Sequence, residues 1–337
     1  MLTQEKINKI YDLAIFDEKI LKNSILSLDL RQRDIMYLEE NKILKREDDY
    51  YIFINYNKLV GYGKYLALNN QTEKAIKCFD KCILNNSNNT SLRFKIFEAS
   101  LMCGDYKKSF DYYKPIYNEE RSDNRFILYL LNLITDLDEE YKNKVKSFKY
   151  KMLKEEDNEK NIEINKVRKY AYDYNFHEAL NIMFKNKKNM FSRYDSVLVN
   201  LFKIAQNEIS KRKKVLFELI KDNEYESAQY YLSNLKEDNR ANNFFRKSLY
   251  IVNTVLDIRT NKTIPLIKVP YKKSLYGSIE NNDFIRALYI SQSRAKNLFE
   301  IDNDILIHLL IDVNKEINIV SEKKNNNIVL SKKKNYN

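Results

Sequence analysis

The sequence predicts an all-α fold, a right-handed α-α superhelix of stacked helical hairpins, preceded by a small α+β head. Two observations carry this prediction. The chain has only 4 Gly and 3 Pro in 337 residues, far fewer than loop-rich or sheet-rich domains use. A short phrase also recurs: a small polar turn, an aromatic residue, two variable residues and then a small residue. Phrases repeated at a fixed spacing indicate helical hairpins, which bury their apolar faces by stacking on one another.

The recurring phrase is located by its small residue. Five copies place this residue, in chain order, at Ala75, Ser109, Ala179, Ala228 and Ala287. The first two lie 34 residues apart, and the third follows 70 residues later, which leaves room for a degenerate (worn) copy of the phrase at 141–145. The last two gaps, of 49 and 59 residues, are longer and predict extra helices or irregular connections.

Each part of the phrase has a physical reason. Gly, Asn or Asp in the turn tolerates left-handed backbone or caps the following helix. The aromatic residue packs between the two helices, and the small residue lets their backbones approach. In the tetratricopeptide repeat family, which this phrase resembles, the first helix also carries a small residue, and the resemblance implies that Gly63 takes this position in the first copy. An ordinary helical bundle with coincidental turns is the alternative.

With this turn and a period near 34 residues, the chain resembles the tetratricopeptide repeat family. The resemblance implies a repeat domain over residues 56–320, in which the first helices of the hairpins line a concave groove. A head at 1–55 precedes this domain, and a flexible basic tail at 321–337 follows it.

The resemblance also indicates which residues face the groove, because in that family they stand fourteen and eleven positions before the small residue. The predicted groove residues whose polar or charged side chains could contact a ligand are Lys64, Lys95, Glu98, Asn165, Arg168, Lys214, Lys273 and Tyr276. This largely basic set suits an acidic segment or the terminal carboxylate of a peptide. The competing explanation is that Lys is simply abundant in this chain.

The head has a different pattern from the repeats. One short helix is predicted near the start and another begins at 16–21. A third helix is predicted over 29–41, capped by Asp29, with Leu30, Ile35 and Leu38 on its inner face. Two short apolar runs then flank a polar tip, which predicts a β-hairpin within 43–55 and no strands elsewhere.

Helix, helix, helix and hairpin is the order of a winged helix-turn-helix, and the head resembles the small winged-helix domains of bacterial regulators and antitoxins. The resemblance implies a recognition helix whose first residues reach base edges, and a wing near the DNA backbone. The corresponding residues are Arg31, Gln32 and Arg33 in the helix and Lys45 and Arg46 in the wing. The first 60 residues nevertheless carry 10 basic and 11 acidic side chains, whereas DNA affinity depends on neutralising phosphates. Docking of a protein or dimerisation therefore stays open beside DNA binding.

The sequence offers little for catalysis or metal binding. Cys78 and Cys82 lie four apart on one predicted helix, but a zinc site needs two further ligands, and core packing of compact thiols is the simpler interpretation. The two histidines, His177 and His308, accompany no nucleophile motif, and no Gly-rich phosphate loop is present. We expect neither an enzyme nor a cofactor.

The remaining expectations concern location and role. The sequence contains no stretch of about 18 apolar residues, the length that could cross a membrane. Its start lacks the apolar run of a signal peptide, so a cytoplasmic protein is expected. The lead hypothesis is a regulator that binds a peptide or protein segment in its groove and binds DNA or docks a partner through its head. The alternatives are an interaction scaffold without a nucleic-acid role, and RNA or DNA binding along basic runs in the repeats such as 142–151. A homodimer is compatible with all three.

Overall fold

The structure is a computed structural model, and it describes residues 3–17, 19–28, 30–86, 88–152, 159–186, 190–191, 194–235, 242–267, 274–293 and 300–334. The chain divides into two compact units. The first comprises residues 1–157 with 186–201, and the second comprises 158–185 with 202–337. The division falls inside the segment that the sequence predicts to be one repeat domain.

The head combines three helices with a small antiparallel sheet. Its elements are, in chain order, α1 (Gln4–Phe16), β1 (Lys19–Leu21), α2 (Lys22–Leu26), α3 (Gln32–Glu40), β2 (Leu44–Glu47) and β3 (Tyr50–Phe53). The strand order is β1-β3-β2. Leu44 of β2 pairs with Phe53, and Lys19 of β1 pairs with Ile52. The hairpin expected within 43–55 is therefore present.

Strand β1 corrects the sequence-based prediction, which expected a helix from 16–21 and strands only within 43–55. Residues Lys19–Leu21 instead pair with β3. Ile20 is fully buried between two exposed neighbours. Three residues are too few for an alternating pattern to stand out in a sequence, so the pairing with a distant strand decides their conformation.

Helix α3 begins at Gln32, two residues later than the predicted cap at Asp29 implies, and its N-cap is Arg31. The predicted cap, Asp29, lies outside the described residues. Of the three predicted inner residues, Leu38 is buried on α3, Ile35 is half-buried, and Leu30 is buried but precedes the helix. The other buried residue of α3 is Asp34, so the expected inner face is present only in part.

Helical hairpins follow the head in both units. The first unit contains α4 (Tyr56–Leu68) with α5 (Thr72–Leu84), α6 (Thr90–Ser100) with α7 (Tyr106–Tyr113), and α8 (Ser122–Ile134) with α9 (Glu139–Met152). Later along the chain come α10 (Glu159–Tyr172) with α11 (Phe176–Lys185), α12 (Asp195–Lys221) with α13 (Tyr225–Ser233), α14 (Asn243–Asn261), α15 (Leu275–Glu280) with α16 (Phe284–Ser293), and α17 (Glu300–Lys334). Single 3-10 turns span Leu101–Cys103 and Lys114–Ile116. The length of α12 and the additional helix α14 account for the two long gaps between phrases.

The five predicted turns share one backbone geometry. The residue five positions before each small residue has a left-handed φ between 59° and 75°, at Asn70, Gly104, Tyr174, Asn223 and Asn282. In four of these turns the next N–H donates to the carbonyl five residues back, as from Gln71 to Leu66 at 2.9 Å. This bond closes the end of the first helix in the way that left-handed caps do.

All five small residues are fully buried, as close packing of the paired helices requires. Gly63 makes the matching approach from α4. A Cβ added there would lie 2.5 Å from the Cε1 atom of Phe79 and 3.1 Å from the Cβ atom of Cys78. The structure therefore bears out the packing role that the sequence assigns to these residues.

The worn copy at 141–145 departs from the pattern in its turn. Tyr141 and Val145 are buried on α9, as in the other copies. The connection before them begins at Thr135 with extended backbone, φ −139°, and not with a left-handed residue. The third hairpin thus keeps the packing and lacks the turn.

Two glycines in α4 provide a matched test of this packing. We expect Gly63→Ala to lower the free energy of unfolding by about 1 to 3 kcal/mol, because its Cβ would overpack against the buried ring of Phe79. Gly61→Ala adds a Cβ where no atom lies within 4 Å, and it should raise stability by up to about 1 kcal/mol through helix propensity. Urea denaturation measures both changes, and equal effects would contradict the close approach at Gly63.

Candidate protein-binding face

Helix α4 has one buried side and one exposed side. Its buried residues, Leu59, Val60, Tyr62, Gly63, Leu66 and Ala67, pack into the first unit. The opposite stripe consists of Gly61, Lys64, Tyr65 and Leu68, whose spacing places them on one face of a helix. The side chain of Asn55 caps α4 by accepting from the N–H of Lys58 at 3.1 Å, which fixes where this helix begins.

Helix α6 extends this surface. The Nζ atom of Lys95 donates to Oδ1 of Asn57 on α4 at 2.9 Å, and the two helices pack side by side. We call the surface formed by Asn57, Gly61, Lys64, Tyr65, Leu68 and Lys95 the α4–α6 face. Two residues predicted to line the groove, Lys64 and Lys95, thus lie on the first helices of neighbouring hairpins. The third, Glu98, is half-buried.

The α4–α6 face combines apolar and basic groups in contact with solvent. Tyr65 is 49% exposed and Leu68 is 65% exposed. The ring of Tyr65 stacks on the buried ring of Tyr62, with centroids 6.0 Å apart. This contact restricts the orientation of the Tyr65 side chain. Open space above Gly61 leaves room for close approach. Within the described residues neither Lys64 nor Lys95 forms an ion pair.

The same repeat positions in α8 are covered. Leu130 and Leu133 are fully buried there. The segment that follows α11 supplies aromatic contacts in the first unit, with the ring of Phe191 6.1 Å from Phe126 and that of Tyr194 5.3 Å from Phe94. A polar cavity of about 180 Å³ lies beside this contact. Leu130 and Leu133 therefore do not line an open groove.

The predicted groove residues of the second unit have mixed positions. Arg168 is buried, Asn165 and Tyr276 are half-buried, and Lys214 is exposed. Lys273 lies outside the described residues. Burial, together with the nearby carboxylates of Asp302 and Asp173, raises the pKa of Tyr276 to about 12. The structure thus does not bring this set together on one exposed surface.

The residue of α12 that turns toward α17 is Lys213, one position before the predicted Lys214. Lys213 is buried, and its Nζ atom lies 2.6 Å from a carboxylate oxygen of Asp302. The same ammonium lies 5.0 Å from the ring centroid of Phe244. Burial raises the pKa of Asp302, while the Lys213 charge opposes that rise. The local sequence does not predict this ion pair, because Lys213 and Asp302 lie far apart along the chain.

Helix α17 makes three further contacts on this side of the second unit. The rings of Phe217 and His308 have centroids 5.5 Å apart. The hydroxyl of Tyr225 donates to the carboxylate of Asp312. The guanidinium of Arg259, which lies 4.6 Å from the ring centroid of Tyr225, bonds Glu316 at 2.9 Å. Acidic residues of α17 therefore meet basic or hydroxyl groups along this contact.

The head exposes the residues predicted to contact DNA. The N–H of Arg31 donates to the carboxylate of Asp34 at 3.1 Å, which fixes the first turn of α3. Arg31, Gln32 and Arg33 are exposed at this turn, and Lys45 and Arg46 are exposed on β2.

Acidic groups lie beside the basic residues of β2. The Nζ atom of Lys45 bonds Glu47 at 2.9 Å, and this partner raises the pKa of the Lys45 ammonium. The hairpin tip carries Asp48 and Asp49, both exposed. The guanidinium groups of α3 and Arg46 form no ion pair within the described residues. The charges of this surface are therefore mixed.

The basic run of α9 is largely neutralised where its side chains are described. Lys142 lies 2.9 Å from Glu139, and Lys144 lies 2.7 Å from Glu140. Asp138 accepts from both Lys107 at 2.6 Å and Lys114 at 2.8 Å. These two hydrogen bonds lower the pKa of Asp138 to about 2.

The cysteines and histidines form no site in the described part of the chain. Cys78 and Cys82 are fully buried, and burial raises the pKa of the Cys82 thiol to about 12. Burial also raises the pKa of Cys103 to about 11. Among the described residues no group of three His, Cys, Asp or Glu side chains could hold a metal ion. His177 and His308 are both exposed.

Comparisons with known proteins give no family for this chain: no protein-family model, no curated protein and no solved structure matches it. The resemblances to tetratricopeptide repeats and to winged-helix domains therefore stay predictions. None of the helices in the described ranges combines the length and the apolar character that crossing a membrane requires.

The ion pair between Lys213 and Asp302 can be tested by breaking it in two ways. We expect Lys213→Met to lower the free energy of unfolding by about 3 to 5 kcal/mol at neutral pH, because it leaves a buried carboxylate unpaired. The loss should shrink when the pH is lowered from neutral to acidic, since burial raises the pKa of Asp302 and lets the carboxylate take up a proton. Adding Asp302→Leu should restore most of the stability. Urea denaturation at both pH values measures this, and an unchanged single variant would contradict the burial.

Proposed function

We propose that this chain is a non-enzymatic regulator that binds a peptide or protein segment on the α4–α6 face, and whose head binds DNA or docks a partner protein. The observation that carries the proposal is the contrast between repeat positions. Those of α8, Leu130 and Leu133, are buried, whereas those of α4, Gly61 and Lys64, are exposed beside Tyr65 and Leu68. We also propose that the repeats form a superhelix with a concave groove.

The chemistry of the α4–α6 face suits a protein ligand. Exposed aromatic and aliphatic side chains supply the apolar core of an interface, and tyrosine is among the residues that most often dominate binding. Lysines at the edge of such a patch attract acidic partners and speed association. The missing side chain at Gly61 lets a partner backbone approach α4.

The proposal for the repeats also rests on their turns. Five left-handed turns stand at the same distance from five buried small residues, which is the arrangement expected of tetratricopeptide-like hairpins. For the head, the support is the succession of three helices and a hairpin, with exposed arginines at the start of the third helix.

Two alternatives differ in their use of nucleic acid. The first is an interaction scaffold without a nucleic-acid role, and the acidic tip at Asp48 and Asp49 favours it, because these charges repel phosphates. The second is RNA or DNA binding along the repeats. The ion pairs of Lys107, Lys114 and Lys142 count against it, because their charges are already compensated.

Blocking the α4–α6 face tests the proposal. Peptides would be selected from a random displayed library on the full chain, and their affinity measured for variants. Gly61→Gln should lower the affinity by about tenfold or more, since its side chain fills the space above α4, while helix propensity keeps the fold stable. Gly61→Ala, which adds one methyl group, should have a small effect.

Lys74→Gln, on an exposed site of α5 outside the face, is the matched control and should leave the affinity unchanged. Peptides that bind the Gly61→Gln variant as well as the parent would overturn the proposal for this face. A selection that yields no binding peptide would do the same.

The role of the head is tested separately by mobility shift with random DNA at about 50 mM salt, where phosphate attraction is strong. If the head binds DNA, Arg31→Ala with Arg33→Ala should weaken the shift while circular dichroism and melting temperature stay unchanged, because both side chains are exposed. No shift with the parent chain would remove DNA binding and leave partner docking as the role of the head.

A further inference from the structure

Helix α17 shows what kind of segment a repeat surface of this chain accepts. Its apolar residues Ile305, Leu306, Leu309, Leu310 and Val313 are all fully buried. It packs against α14 and α16, and it reaches α12 through Lys213 and Phe217. The surface of the second unit is thus occupied by an amphipathic helix from the same chain.

Three acidic residues of α17 lie beside its buried apolar residues. At 100° per residue, Asp302, Asp312 and Glu316 fall within an arc of about 80°, which holds Ile305 and Leu309 and borders the arc of Leu306, Leu310 and Val313. Each has a partner on another helix of the second unit, namely Lys213, Tyr225 and Arg259 respectively. The contact therefore combines apolar burial with carboxylates that are individually paired.

The α4–α6 face carries the complementary groups on exposed side chains. Lys64 stands eleven positions before its small residue, as Phe217 does in α12, and its ammonium is exposed. Lys95 is exposed on the neighbouring helix, and Tyr65 with Leu68 supplies the apolar surface. An amphipathic helix buries its apolar residues in such a surface through positions three and four apart.

We infer that the α4–α6 face binds an amphipathic α-helix that carries carboxylates along its apolar side, in the manner of α17 on the second unit. This inference rests on the proposed function and names the class of partner. Charge complementarity with Lys64 and Lys95 selects an acidic helix over a neutral one, and the space above Gly61 accepts its closest turn.

The experiment uses the full chain and a labelled synthetic peptide with the sequence of residues 300–323. Its matched control carries Asp302→Asn, Asp312→Asn and Glu316→Gln, which keep size and apolar pattern. Fluorescence anisotropy should show the acidic peptide binding about tenfold more tightly than the neutral one, with the difference shrinking as salt rises.

Two charge-reversal variants then locate the site. Lys64→Glu with Lys95→Glu should abolish the preference for the acidic peptide. Lys74→Glu with Lys185→Glu changes the net charge equally at exposed positions outside the face and should preserve it. If the variant with Lys64→Glu and Lys95→Glu still prefers the acidic peptide, the inference is overturned. This result is expected if the peptide displaces α17 from the second unit.

The remaining outcomes separate the inference from the proposed function. If both peptides bind equally and Gly61→Gln abolishes both, the face binds protein segments but does not select acidic helices, so only the inference fails. If neither peptide binds, the inference also fails, and the library selection independently decides whether the face binds any peptide.

Discussion

The contact between paired helices at each small residue is the constraint on which the rest of the fold depends. A left-handed residue ends the first helix in five hairpins, its successor donates back to the last turn in four of them, and the small residue is the fourth residue of the second helix. Since the turn is short and the contact is buried, the relative placement of the two helices has little freedom. The cost of keeping it is visible at Tyr174, a bulky residue in left-handed backbone, which is a strained conformation outside Gly, Asn and Asp.

The sequence reveals these hairpins because left-handed backbone and tight packing restrict residue type at fixed positions. It does not reveal features that depend on contacts between distant segments. Strand β1 forms only because β3, some thirty residues later, offers a partner. Likewise, the covering of α12 by α17 places Lys213 inside and Lys214 outside, and a family position counted from the small residue cannot resolve that one-residue difference. The candidate face was predictable only at Lys64 and Lys95.

Equivalent repeat positions serve different roles according to what covers them. In α8 they hold Leu130 and Leu133, which are fully buried, and apolar residues are what such a position requires. In α12 they hold Lys214, which is exposed, and Phe217, which is half-buried, while the preceding residue, Lys213, is buried and pairs with Asp302. In α4 the position holds Lys64 without an ion pair within the described residues, and a charge that is exposed beside apolar side chains is stable in water. The residue type at each repeat position therefore depends on whether another segment of the chain buries it.

The chemistry of α3 bears on what the head contacts. Beyond the arginines at its start, Met36 is 52% exposed and Tyr37 is 47% exposed on the same helix. DNA affinity comes mainly from cationic side chains placed against phosphates. Apolar side chains contact the bases only after such phosphate contacts have positioned the protein on the duplex. Here the cations are few and acidic groups stand at the hairpin tip. Exposed apolar side chains with mixed charges around them are the usual composition of a protein interface, so the surface of α3 favours docking of a protein over binding of DNA.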